Sequence, residues 1–391
     1  MKKIIALVLV LCMALSLCAC GGKTKEKEKV VRIGVFEPTS GSFATPGKKE
    51  ILGMQYAHSE TPTVEIKGET YRIELVPADN GSSPDQAAAA AADLVDKNVS
   101  IVLGSYGSEL SLAGSPGFEE AGIACIGASC TDPGITAGNS HYFRICYLED
   151  FQADVLASFA LNKLRAGTAY CLGELGNEYD QRMIEVFTRV FAAAGGQVIT
   201  DFFPSYSAEF KPYLEKAMEA EAEVLFIPVS LIYATQIITQ AETLEFQLPI
   251  LGPDGLDNNV VLNAVKDSEL RLYVSAFYQE GGNARFDEGL KDFINNNAEA
   301  KTANGGNDTV AAVTAMGYDA YYLALEAMKV AGSVDKADIL AKLPIVTYKG
   351  VSGEIAFDSQ GDILRDTAFI KTADNEVGVW KLETVQVGSG S

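Results

Sequence analysis

Three short segments of the chain concentrate groups able to hold a small charged molecule. Ser105-Tyr106-Gly107-Ser108 and Ser129-Cys130-Thr131-Asp132 are rich in hydroxyls and stand just before helical patterns. Hydroxyls and the free amide N–H groups of a helix start together suit a carboxylate. Gly252-Pro253-Asp254-Gly255 sets one acid between glycines that permit close approach. An acid facing such donors across a cleft suits a ligand with both a carboxylate and an ammonium group. Each segment also has a plainer structural reading. Ser129 and Thr131 ahead of Asp132-Pro133 fit a capped turn, Asp254 could cap the next helix, and Tyr106, Tyr179 and Tyr233 could be packing residues. The joint placement of these groups at corresponding strand ends favours binding.

Catalytic chemistry is poorly supplied. The chain has two histidines, His58 and His141, which leaves little material for histidine-based catalysis or a zinc centre. Gly127-Ala128-Ser129-Cys130-Thr131 lacks the final glycine of a nucleophile elbow. Neither a dinucleotide-binding glycine fingerprint nor a phosphate loop ending in Gly-Lys-Ser/Thr follows any strand pattern. The reading is a binding protein with no catalytic residues, no cofactor and no metal.

The elements that must position these segments alternate β-branched runs with longer helical patterns, which predicts parallel sheets covered by helices on both faces. Strands are expected at 31–36, 71–79, 101–105, 124–129 and 141–146, with helices over 48–58, 84–97 and 109–120 between them. Ser83, Pro84 and Gln86 form a Ser-x-x-Gln capping box with proline at the first helical position. A second run places strands at 168–175, 197–204, 223–230, 249–254 and 271–277, with helices over 151–165, 181–194, 210–220 and 233–244. Two such runs imply two doubly wound α/β lobes. The remainder, helices near 286–295, 309–331 and 336–343 and strands at 353–357, 368–372 and 377–381, has no core of its own. It is expected to complete both lobes by recrossing between them. The predicted division is 30–147 with 279–362 for the first lobe and 148–278 with 363–387 for the second. In such sheets ligands bind beyond the carboxyl ends of strands. That rule selects the loops Ser40 to Gly47, Ser105 to Ser108, Ser129 to Asp132, Leu175 to Tyr179, Ser230 to Tyr233 and Asp254 to Asn258.

The amino terminus reads as a leader. Lys2 and Lys3 precede an apolar run from Ile4 to Leu17, shorter than the roughly 18 to 20 residues that span a bilayer. Leu17-Cys18-Ala19-Cys20-Gly21 resembles a bacterial lipobox, with Cys18 where a smaller residue is more usual. It implies that residues 1–19 are removed and that Cys20 is lipidated. Residues 20–29 form a charged, solvated tether. The protein is then expected outside the cytoplasm, held to the bacterial membrane through Cys20. The 391-residue chain has a net charge of −21, and loss of the leader lysines leaves about −23. Such a surface repels nucleic acid. Beyond Cys20 stand Cys125, Cys130, Cys146 and Cys171, three of them inside predicted strands. Disulfides are permitted, but buried free thiols are the favoured reading.

The stretches IGVFEPTSGSFATPGKK, SPDQAAAAAADLV, EEAGIACIGASCTDPGIT, HYFRICYLEDFQADVLASFA, LPILGPDG, YDAYYLALEAMKVAGS and GVSGEIAFDSQGD resemble, in the same order, the type I periplasmic binding proteins. The resemblance is to the branched-chain amino acid receptor family of ABC transporters and runs from Val31 to Leu382. It implies two α/β lobes joined by three crossovers, closing on a small-molecule ligand, an amino acid, that is passed to a transporter permease. Carried over by position, Ser108 and the Ser129-Cys130-Thr131 loop would hold the ligand carboxylate, with Tyr106 beside them. Tyr179 would close from the second lobe, Asp254 would meet the ammonium, and Ser230 and Phe277 would border the side-chain pocket. Pro46 stands where members often carry an aromatic residue, and HSETPTVEIKGET replaces a usual helix ending, altering a peripheral loop. A monomer is implied. A ligand-sensing lipoprotein with the same cleft, or a binder of another small carboxylate or amide, fits the same sequence.

Overall fold

The computed structural model describes residues 28–389. Its first sheet holds β1 (Lys29–Glu37), β2 (Thr63–Ile66), β3 (Glu69–Asp79), β4 (Ile101–Leu103), β5 (Ala124–Gly127) and β6 (Tyr142–Arg144). Their order is β2-β3-β1-β4-β5-β6, and every pairing is parallel except that of β2 with β3. β1 explains its central place: beyond Arg32 it is buried on both faces, as a parallel strand between helix layers must be.

Helices α1 (Ala44–Glu60), α2 (Pro84–Asp96) and α3 (Ser108–Glu120) connect these strands. One face of the sheet packs Phe36, Val76, Val102 and Cys125 against Ala87, Ala90 and Leu94 of α2 and Phe118 of α3. Small alanines at helical spacing let α2 lie close to the strands. It begins at Pro84 behind an extended Ser83, but the Ser83 side chain makes no capping hydrogen bond, so the expected capping box does not form.

The second sheet holds β7 (Thr168–Glu174), β8 (Gln197–Phe203), β9 (Val224–Phe226), β10 (Ile250–Gly252) and β11 (Leu272–Ala276). Helices α4 (Glu149–Asn162), α5 (Glu178–Ala193), α6 (Lys211–Glu219), α7 (Leu231–Thr243) and α8 (Asn259–Val265) cover it. In α5, Met183, Ile184, Phe187 and Phe191 form the buried stripe that an amphipathic helix lays on a sheet.

The last third of the chain serves both sheets. Helices α9 (Ala284–Asn296), α10 (Ala298–Ala303), α11 (Ala312–Ala331) and α12 (Lys336–Lys342) precede a small ladder of β12 (Tyr348–Lys349) and β13 (Glu354–Ile355). Helix α11 packs on α1 through two glycines. An added Cβ at Gly53 would fall 1.9 Å from the Thr314 carbonyl oxygen, and one at Gly317 would fall 2.1 Å from that of Glu50. Then β14 (Thr367–Asp374) and β15 (Val379–Val387) run antiparallel on the edge of the second sheet, whose order is β15-β14-β11-β10-β9-β7-β8.

The chain therefore passes between the sheets after β6, after β11 and before β14. Tyr147 and Phe277, on the first two passages, pack with ring centroids 4.6 Å apart and planes tilted by 49°.

Two further expectations change. The stretch read as a peripheral loop contains β2, which turns into β3 through Lys67 and Gly68, both at positive φ. Cys146 lies beyond the end of β6 and not inside a strand. Cys125, Cys130, Cys146 and Cys171 are all buried free thiols. Cys20 and the leader lie outside the described residues, among which no helix is long and apolar enough to cross a membrane.

Candidate functional site

The β4 loop starts at Gly104, where φ is +106° and a side chain would run into Glu37 and the Phe36 carbonyl, so only glycine fits. From there the Tyr106 amide donates to Glu37 Oε2 at 2.8 Å. The Ser108 hydroxyl accepts from the amides of Thr131 and Asp132 at 3.1 and 3.2 Å. Ser108 thus ties the β4 loop to the β5 loop, and with both lone pairs engaged its own hydrogen remains to be donated. The Thr131 carbonyl accepts from the Glu149 amide at the start of α4, which links the loop to the second half of the molecule.

Within the β5 loop the side chains diverge. Ser129 donates to Glu50 on α1. Cys130 is fully buried in the core cluster that includes Cys125, Tyr142 and Phe118, and its carbonyl accepts from Arg144 and from the Cys146 thiol. Asp132 accepts from the Gly134 amide at 2.6 Å and caps the short 3-10 turn Pro133–Ile135. Thr131 is buried, and among the described residues its hydroxyl has no protein partner. The loop is held from below by Arg144, fully buried, whose Nη1 donates to the carbonyls of Cys130 and Asp132 at 3.1 and 2.6 Å.

Beneath the same loops lie two carboxylates that sequence reasoning missed, Glu37 and Glu50, both fully buried. Burial raises both, and the charge and hydrogen bonding of Glu50 raise Glu37 well above the usual range. Sharing one proton between the two carboxyl groups would remove that repulsion.

On the opposite side, Asp254 opens the short turn Asp254–Leu256 after β10. Its amide donates to Gln152 Oε1 at 3.1 Å, and the same oxygen accepts from Ser275 Oγ at 2.8 Å. Asp254 does not cap α8. Asn258 does, accepting from the Val260 amide at 3.0 Å. The Asp254 side chain keeps some access to the space between the sheets but is surrounded by protein. Burial pushes its carboxyl up to about 7, against the pull of Gln152 and with the Asp257 charge adding to the rise. Among the described residues it forms no ion pair.

Tyr106, Tyr147 and Tyr179 surround this acid. Burial first, and the Asp254 charge second, raises all three phenols. The Tyr106 hydroxyl lies 3.8 Å from where a Cβ on Gly255 would stand, so the first-sheet loop reaches the second-sheet loop directly. Tyr106, Ser108, Thr131, Tyr179 and Asp254 are thereby brought to one region between the sheets. Ser230 is exposed at the start of α7, and Phe277 is fully buried against Tyr147 in the passage between sheets. Phe277 reaches that group through Tyr147. Tyr233 is occupied elsewhere, donating to Glu174 and accepting from the Tyr206 amide.

The histidines are structural: His141 Nε2 meets Ser115, and His58 Nε2 meets the Ile73 carbonyl. Two surface hollows, of about 390 Å³ beside Lys67 and Asp335 and about 570 Å³ along α5 and β8, lie away from the converging loops.

The chain belongs to the periplasmic binding protein family, whose model matches residues 30–375. It is 22% identical over 339 residues to a leucine-, isoleucine-, valine-, threonine- and alanine-binding protein of Pseudomonas aeruginosa, covering 85% of this chain and 87% of that one. A shorter match, 36% identical over 139 residues, spans 35% of this chain and only 37% of an amino acid binding protein from the same organism. The solved leucine binding protein of Thermotoga maritima superposes with a TM-score of 0.77 at 29% identity, over 92% of this chain and 99% of that one.

Proposed function

We propose that this protein is the extracytoplasmic solute-binding component of an ABC transporter, closing on an amino acid and presenting it to a membrane permease. The observation that carries the reading is Asp254, an acid enclosed between the sheets without an ion-pair partner, in the region to which Tyr106 brings the first-sheet loops and their Ser108 and Thr131 hydroxyls. An α-ammonium supplies the missing charge, and Ser108 and Thr131 donate to the α-carboxylate. The residues on 30–147 and 279–362 act as one lobe and those on 148–278 and 363–387 as the other. Full affinity is reached only when both touch the ligand, so binding shifts the population from open to closed. The protein works as a monomer tethered through lipidated Cys20, and a Cys20→Ala variant is released from the membrane fraction.

A thermal-shift screen of the mature protein against the amino acids and small carboxylates tests the reading. A ligand at 100 times its dissociation constant stabilises by about 2.7 kcal/mol, a rise of several degrees. If no amino acid moves the melting temperature while another carboxylate does, the amino acid assignment is overturned.

A further inference from the structure

A second buried ionisable group lacks a close counter-ion. Lys49, on the first turns of α1, is 4% exposed. Among the described residues no carboxylate oxygen lies within ion-pair distance of its Nζ, and the acid whose charge it feels is Asp257, across on the second sheet. Asp257 is already occupied: its Oδ2 accepts from Lys371 Nζ at 2.7 Å, with both side chains almost wholly buried, at 4% and 2% exposure. Lys371 neutralises Asp257, so Lys49 has no acid of its own within ion-pair distance among the described residues. A buried ammonium without a partner is costly, and burial accordingly lowers the Lys49 pKa. Lys49 and Asp254 thus stand as a buried base and an enclosed acid, neither with an ion-pair partner among the described residues.

We infer that the ligand carries a second anionic group and that Lys49 receives it, which makes the ligand an acidic amino acid. The inference rests on the amino acid reading above and adds the side chain to it. Asp254 takes the α-ammonium, Ser108 and Thr131 the α-carboxylate, and Lys49 the side-chain carboxylate. A neutral aliphatic side chain in the same place leaves the ammonium buried and unpaired. The competing account is that Lys49 only draws the lobes together through Asp257. Under that account the charge of the ligand side chain is immaterial, and loss of Lys49 weakens every ligand alike.

Calorimetric titration of the mature protein with L-glutamate against L-glutamine, and with L-aspartate against L-asparagine, separates the two, because each pair differs in charge and hardly in shape. The expected result is at least a tenfold preference for one acidic member over its amide. Lys49→Met then weakens the acidic ligand about 30-fold or more and leaves the amide within threefold, while Lys49→Arg retains the preference. A parent protein that binds L-leucine or the amides as tightly as the acids overturns the inference and leaves the amino acid reading standing. So does a Lys49→Met variant that loses acid and amide equally. Failure of every amino acid to bind overturns both.

Discussion

Arg144 and Asp362, 218 residues apart, meet beneath the β5 loop, where Nε and Nη2 of the arginine donate to one carboxylate oxygen at 2.8 and 2.5 Å. The same oxygen accepts from Thr136 Oγ1 at 2.8 Å. Because Arg144 also holds the carbonyls of Cys130 and Asp132, the pair couples the late return of the chain to the loop that presents Thr131. Removing one partner of a buried ion pair costs about 3 to 5 kcal/mol, since the other is left unpaired. Arg144→Met is expected to lose stability in that range in urea titration. Asp362→Asn, which keeps an acceptor at a partly exposed position, should lose less.

Asp254→Asn should separate binding from stability. Truncating one member of a buried charge pair costs roughly 2 to 5 kcal/mol of affinity, about 30-fold to several thousand-fold in dissociation constant. The ligand-free variant should be the more stable protein at pH 8. The carboxyl is raised to about 7 from an ordinary 3.8, so the folded state holds its proton more tightly than the unfolded state. Its contribution is fully present below pH 4 and is lost as pH rises through 7. An amide escapes that loss, a gain of about 1 to 3 kcal/mol at pH 8. Melting curves at pH 4 and pH 8 should show the two proteins diverging only at the higher pH.

Thr131 and Ser129 share a loop but should behave differently. Thr131 is a buried residue whose hydroxyl has no protein partner among the described residues, and Thr131→Ala should cost about 1.5 to 3 kcal/mol of affinity, the worth of a hydrogen bond to a charged group. Ser129 spends its hydroxyl on Glu50, so Ser129→Ala should chiefly disturb the Glu37 and Glu50 pair. It should lower the melting temperature with a smaller change in affinity. Titration and melting of both variants check the contrast.

The fold was legible because strand and helix periods differ and each run is bounded by turn residues. Nearly every strand lies within a few residues of its expected place. β2 escaped because TVEI is four residues long and its turn, Lys67-Gly68, lacks the common Asn-Gly signal. The site was legible only where strand ends alone decide position, as for Ser108, Thr131 and Asp254. The capping role considered for Asp254 belongs to Asn258, a choice that depends on where the helix starts, and boundaries are the weakest part of a sequence reading. Glu37, Glu50 and Lys49 gave no signal, since a charged residue in the sequence does not reveal which face it occupies. Only the fold buries Lys49 without an ion-pair partner while Glu50 meets Ser129.

The affinity for an amino acid should depend on pH through Asp254. A proton and an ammonium group compete for one carboxyl that titrates near 7 in the ligand-free site. Above that value the acid is ionised and ready, and below it each unit of acidification requires a proton to be expelled, weakening binding by at most tenfold per unit. Between pH 8 and pH 5.5 the dissociation constant should rise about 30-fold. Glu149, raised to about 8 by burial and the Asp132 charge against the pull of Arg182, and Asp180, raised to about 7 by burial, titrate in the same window, so the parent profile alone does not isolate Asp254. The Asp254→Asn protein does: its weaker binding should be flat across the range if Asp254 is the competing group. A slope that survives in this variant would assign the titration to another raised acid, Glu149, Asp180, Asp319 or the Glu37 and Glu50 pair, and remove Asp254 from contact with the ammonium.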